Sequence, residues 1–226
     1  MSKGKKGGKR AKPGRKGGRG YKTVNLVGRS LNPIPQRMIA KHKYAESVAV
    51  VAVNNLATFQ FNLNSVYDPN KSGVGHQPYG RDQYAALYNR YRVIACSWRV
   101  TCIPSVAARV IQVATLPSNV TPTPIANVWD VREQPRAKYI CQQPGAPQQY
   151  VVGKAYLPSL IGRTKAQYMA DDNYQAQVGA DPSELALLNL YAGAITDDTV
   201  NDETFYFNVE LEYTVEWFDP NPLPSS

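Results

Sequence analysis

Acidic side chains are missing from the first 45 residues: the first is Glu46, whereas residues 1–43 carry fourteen Lys and Arg. Of the 26 Lys and Arg in the 226-residue chain, twelve remain for residues 44–226, where they face all 17 acidic groups. The net charge of +9 is therefore the sum of a segment at +14 and a body at −5. Such segregation excludes an evenly basic surface. It points to a tail that neutralises the phosphates of a polyanion, joined to a folded part with a different task.

Histidine is nearly absent: His42 and His76 are the two in the chain. Neither stands in a triad-like or metal-ligand spacing, and no Gly-rich phosphate loop follows a strand, so an enzyme has little footing and no cofactor is implied. The three cysteines, Cys96, Cys102 and Cys141, are odd in number and show no CxxC spacing. Cys96 and Cys102 lie six residues apart on one expected strand; at ~3.3 Å per residue that is too far to bridge. With neither a disulfide framework nor a zinc site indicated, all three are expected as core or structural thiols in a reducing compartment. Long apolar runs are also missing. The longest, residues 48–53, has six members, against about twenty for a membrane span. The basic, Gly-rich start has no apolar stretch behind it, so neither a signal peptide nor a membrane partner is expected.

Residues 1–22 interleave ten basic residues with seven Gly and one Pro, a composition that cannot bury apolar surface and is expected to be disordered unless bound. From Tyr21 to Lys43 the charge thins and Val24, Leu26, Val27, Ile34, Met38 and Ile39 enter, with Pro33 and Pro35 blocking a helix. This reads as a linker. The expected division is 1–43, basic arm and linker, and 44–226, one folded domain.

Within that domain the period is two. Phe205, Phe207, Val209, Leu211, Tyr213, Val215 and Trp217 alternate with Tyr206, Asn208, Glu210, Glu212, Thr214 and Glu216, the pattern of a long antiparallel strand with one dry and one wet face. The same alternation sets Ala57, Phe59, Phe61 and Leu63 against Thr58, Gln60 and Asn62, and Ile94, Cys96, Trp98, Val100 and Cys102 against Ser97, Arg99 and Thr101. Residues 48–53, 110–116 and 150–157 are shorter strand candidates separated by Pro, Gly and Asn clusters. Strands without intervening helices predict a sandwich. Residues 81–90 are compatible with a short helix, and Asp181-Pro182-Ser183-Glu184 has helix-start chemistry. If the domain is a sandwich, residues 185–192 must nevertheless form a strand.

The segments FQFNLNSVYDPN, YNRYRVIACSWRVTCIP and TFYFNVELEYTVEWFDPNPLP resemble the capsid proteins of circular single-stranded DNA viruses, the circovirus-like group. The specific elements are the Tyr-rich run from Tyr84 to Arg92, entering a strand of alternating basic and apolar residues, and a last strand ending in Trp217-Phe218 before a Pro-rich tail. The resemblance implies an all-β fold, a single eight-stranded jelly-roll sandwich preceded by a disordered basic arm. It further implies a homo-oligomer of sixty copies closing an icosahedral T=1 shell, with the arm directed onto a single-stranded DNA genome. The arm is richer in Lys and Gly than the Arg-dominated arms of circoviruses. The body also resembles coat proteins of some small single-stranded RNA viruses, and a cellular nucleic-acid-binding β-barrel module remains the reading from another class. A cellular binder would place basic residues on a folded face as well, whereas this body is net acidic.

The candidate nucleic-acid-binding residues are Lys3, Lys5, Lys6, Lys9, Arg10, Lys12, Arg15, Lys16, Arg19 and Lys22, which contact phosphates without reading sequence. Sixty arms at +14 each would carry roughly 840 charges, enough for on the order of that many nucleotides. The same run can serve as a nuclear-localisation signal read by a host import receptor before assembly, and a cell-surface receptor is a further possible partner of a virion. Tyr79, Tyr84, Tyr88 and Tyr91 among Arg81, Arg90 and Arg92 allow base stacking, with interface or core packing as the stronger alternative. Asp171-Asp172, Asp197-Asp198, Asp202 and Glu203 offer oxygen ligands for an intersubunit calcium ion; exposed loop carboxylates are the better reading, and no metal is expected.

If the ten arm cations bind phosphates, log K for an oligo-dT strand falls against log[salt] with a slope near −7, at about −0.7 per contact. Each Lys→Gln change among them reduces that slope by about 0.7, which a fluorescence titration at several salt concentrations measures directly.

Overall fold

The structure, a computed structural model, describes residues 34–106, 109–120, 125–195 and 203–222. The ten candidate arm residues, and the expectation of disorder over residues 1–22, lie outside that set. In chain order the elements are β1 (Arg37–Val51), β2 (Ala57–Asn62), α1 (Arg81–Ala85), β3 (Tyr88–Pro104), β4 (Ile111–Ser118) and β5 (Lys138–Gln142). Then follow β6 (Val151–Tyr156), α2 (Leu157–Leu160), α3 (Lys165–Ala170), β7 (Ala176–Gln177), β8 (Leu187–Ala194) and β9 (Thr204–Pro220). The first strand begins at Arg37, inside the segment read as linker. No helix among the described residues is long and apolar enough to cross a membrane.

Two antiparallel sheets form. One has the order β1-β9-β3-β6, with the two-residue β7 beside the start of β3, and the other has the order β2-β8-β4-β5. First strand pairs with last (β1 with β9), second with eighth (β2 with β8), β3 with β6 and β4 with β5. The chain is thus one long hairpin of eight principal strands whose arms are rolled into two sheets, the jelly-roll topology that the resemblance implied.

Strand β9 is the spine of the first sheet. Its 17 residues far exceed the usual five or six, and it is paired on both sides, with β1 from Arg37 to Val51 and with β3 from Tyr88 to Pro104. All seven odd-numbered side chains from Phe205 to Trp217 are at most 1% exposed. Glu216, expected on the wet face, is buried. There the outer face is covered by the segment around α3, and Arg92, held by Gln175 Oε1 (3.1 Å), and Arg37 Nη1 (3.2 Å) flank the carboxylate.

In β3 the alternation changes phase at a bulge between Val93 and Ala95. An extra residue in one strand moves the side chains on one side of it to the other face. Val93, not Ile94, therefore fills the core, while Cys96, Trp98, Val100 and Cys102 point inward as expected. Strand β8 shows no alternation because all eight of its residues are buried. Its inner face meets the main core, and on its outer face Tyr191 packs with Ala114, Leu116, Val128 and Val131. This double burial is why residues 185–192 read equally as helix. Strand β5, short and largely exposed, gave no periodic signal. The helix α3 did have one: Thr164 and Gln167 form a capping box.

The polar atoms of two large inward-facing rings find partners across the sandwich. Tyr213 Oη donates to the Asn62 carbonyl (2.7 Å), and Trp98 Nε1 donates to Thr115 Oγ1 (3.2 Å), so that burial of these large rings leaves no orphaned donor. Trp98 lies directly over its cross-strand partner Gly153. A Cβ on that glycine would stand 2.1 Å from Trp98 Cζ2. Gly153→Ala is therefore expected to destabilise the fold by about 1–3 kcal/mol through overpacking, read as a lower urea midpoint, with partial recovery in the Gly153→Ala/Trp98→Phe double variant.

Candidate nucleic-acid and assembly surfaces

The Tyr and Arg residues around the start of β3 are mostly packing residues. Tyr88 and Tyr91 are fully buried: Tyr88 Oη donates to the Pro35 carbonyl (3.0 Å), and Tyr91 Oη donates to the Ala180 carbonyl (2.9 Å). Tyr84 stacks on Trp217 with centroids 5.6 Å apart. Arg92 is enclosed between the Tyr168 and Phe218 rings, and Arg81, also buried, bonds Gln77 and Asp82. For Tyr88 and Tyr91 the stronger alternative, core packing, therefore holds: both are buried in β3 ahead of the bulge, where no base could reach them. Tyr79 alone of the four stands clear, at 86% exposure.

His42 is buried under Tyr84 and Trp217. The Trp217 indole can only donate, so its 3.1 Å bond to Nε2 makes that nitrogen an acceptor. Nδ1 then carries the proton and faces the Tyr79 carbonyl at 3.3 Å. Burial, with the positive charge of Arg81 adding to it against the Tyr79 hydrogen bond, holds the imidazole below its ordinary value of 6.5. His76 lies in an exposed loop, stacked on Tyr44 at 4.7 Å.

Cys96 and Cys102 are buried free thiols whose burial raises them far above their ordinary titration range, which makes them inert packing groups. Cys141 departs from the expectation of a core thiol. It is exposed on β5, where Arg132 Nη2 donates to its sulfur (3.2 Å). An edge strand with one open face has no core on that side to take it.

Of the acidic candidates, Asp171 is paired with Arg163 and caps Asn173 N (3.0 Å). Glu203 is buried beside Arg109 (3.5 Å) and accepts from Val106 N (3.2 Å). Asp197, Asp198 and Asp202 lie outside the described residues. Among the described residues no group of three or more His, Cys, Asp or Glu side chains is placed to hold a metal.

The outer surfaces of the two sheets differ in chemistry. The second sheet is covered by residues around 125–137 through Ile125, Val128, Trp129 and Val131, whereas the first carries charged side chains along β1, β9, β3 and β6. At one end of the first sheet, register aligns Ala49, Tyr206 and Ile103 in a row. With Val51, Val53 and Val106 this rim exposes apolar side chains at 43–68%, a surface suited to association. The sequence carries a signal for it, since Tyr206 is an aromatic member of an otherwise polar set.

No family model matches the chain, and no curated protein matches it. Among solved structures it is similar to Desmodium yellow mottle tymovirus at 14% identity and TM-score 0.42, over 100% of both chains. It is also similar to the Macrobrachium rosenbergii nodavirus at 13% identity and TM-score 0.49, covering 97% of this chain and 63% of that one. A third likeness is to the decameric BFDV capsid protein, at 8% identity and TM-score 0.41, covering 80% of this chain and 99% of that one.

His42 makes the fold acid-sensitive. Its folded value lies below 6.5, so under acid conditions the unfolded chain binds the extra proton first. Its contribution is complete above pH 6.5 and is lost as pH falls through the lower folded value. Urea midpoints measured at pH 7.5, 6.5 and 5.5 are expected to fall in that order, and His42→Gln to flatten the decline.

Proposed function

We propose that the chain is a viral coat protein that self-assembles into a small icosahedral shell and packages single-stranded DNA through the arm before β1. The observation that carries this reading is the division of charge, +14 over residues 1–43 and −5 over the rest, on a chain whose body is an eight-stranded jelly roll. The arm holds the genome by neutralising phosphates without reading sequence. The sandwich supplies a rigid unit with an apolar rim for contacts between copies. The resemblance to circovirus-like capsid proteins supports sixty copies, single-stranded DNA as cargo, and passage through the host nucleus by an import receptor that reads the arm.

Purified protein viewed by electron microscopy is expected as uniform closed particles. Nucleic acid protected in them from nuclease, once extracted, is expected to be destroyed by DNase and to survive RNase. RNase-sensitive cargo would make the chain the coat of an RNA virus instead, and protein that stays monomeric at every salt and nucleic-acid concentration would contradict the coat reading altogether.

A further inference from the structure

Five cations on the folded strands and their connections lie along one course that crosses the first sheet from β1 to the β6 edge. Lys43, Arg99 and Lys154 stand on the outer face of the first sheet, where register sets Lys43 opposite Glu212, Glu212 opposite Ser97, and Ser97 opposite Lys154. Lys43 and Arg99, with the small side chains Ala45 and Ser97, line a shallow groove of about 380 Å³. Lys154, next along the course, lines a second opening of about 370 Å³ at the β6 edge, with Arg136, Lys138 and Tyr156 and no acidic residue on its walls.

Those at the edge are held without being neutralised. Lys138 Nζ donates to the Val152 carbonyl (2.9 Å), and Arg136 donates to the carbonyls of Leu160 (2.8 Å) and Ser159 (3.3 Å). Among the described residues none of the five is in an ion pair, whereas Arg81, Arg92, Arg109 and Arg163 each are. Glu212, which shares the first groove with Glu210, is already bonded by Lys41 Nζ (2.6 Å). That bond, with the charges of Lys41, Lys43 and Lys154, holds it below the usual carboxylate range. Positive charge is in surplus here. Two exposed rings border it: Tyr150, with the Arg99 guanidinium 3.6 Å above its centroid, and Tyr156.

We propose that this course is a second nucleic-acid contact, taking phosphates of a single-stranded segment on the five cations and bases on Tyr150 and Tyr156. It rests on the coat-protein reading and deepens it, adding a folded contact to that of the arm. The net charge of −5 over residues 44–226 conceals this surface, because most of the 17 carboxylates lie away from it. A basic folded face therefore does not separate a coat from a cellular binder, and closed-particle formation does.

The test uses the full chain and a fluorescent oligo-dT strand. Lys43→Gln/Arg99→Gln/Lys154→Gln removes three exposed charges, and Lys71→Gln/Arg90→Gln/Lys165→Gln removes three that lie off the course. The first triple variant is expected to reduce the salt slope of binding by about 2, at about 0.7 per contact, with an unchanged melting temperature; the second is expected to leave the slope as it was. Photocrosslinking of an iodouracil strand is expected to label Tyr150 or Tyr156. Equal slopes for the two triples would overturn the proposal, as would a first triple that loses particle assembly while its slope is unchanged, which would make the face a contact with a second copy. A wild-type chain that fails to bind the strand, or binds it without forming particles, would instead overturn the coat reading.

Discussion

Strand β9 lies between β1 and β3 over nearly its whole length, and the seven side chains it sends inward are the contact on which both sheets depend. Phe205, Phe207, Val209, Leu211, Tyr213, Val215 and Trp217 form the middle of the core cluster. Burying each such side chain contributes roughly 1.5–3 kcal/mol. Because the pleat has a period of two, the register that buries this set also fixes the outward residues, from the Tyr206 rim to the Glu210 and Glu212 positions. Surface chemistry on this side of the molecule is thus a consequence of core packing. At the far end Trp217 ties β9 to His42 on β1 and to Tyr84 just after α1 begins, closing the sandwich where the strands diverge.

Electrostatics divides the chain differently from packing. The first 43 residues hold fourteen cations and no anion, and from Arg37 onward they already belong to β1. The body holds an acidic excess, yet its cations are not scattered. Some are consumed in buried or half-buried pairs, as with Arg92 and Glu216 or Arg109 and Glu203, and others gather around β6 without carboxylate partners. An acidic remainder keeps the folded surface from binding polyanions indiscriminately, and leaves one face where phosphates are admitted.

Much of the fold was legible in the sequence wherever one face is dry and the other wet. The alternation of β9, β2 and the later half of β3 marked these strands, and their absence of helices marked the sandwich. Legibility failed for physical reasons at particular residues. A bulge after Val93 moved Ile94 out of the core; coverage of both faces removed the period from β8; β5 is too exposed to show one. The expectation for Cys141 failed in the same way, since composition does not say which thiol falls on an open edge. The surface site was the least legible. Lys43, Arg99 and Lys154 are separated by more than fifty residues each, and only the register of four strands brings them onto one face, whereas the ten arm cations lie within the first 22 residues.

The claim beneath all of this is that the cationic segment and the sandwich are separable, one holding nucleic acid and the other folding and assembling. Deleting residues 1–33 and comparing nuclease-protected nucleic acid per particle with that of the full chain tests it most directly. The account predicts a body with an unchanged near-ultraviolet dichroism spectrum and melting temperature, and cargo reduced by tenfold or more. Undiminished cargo in the shortened protein, or a body that no longer folds, would contradict it.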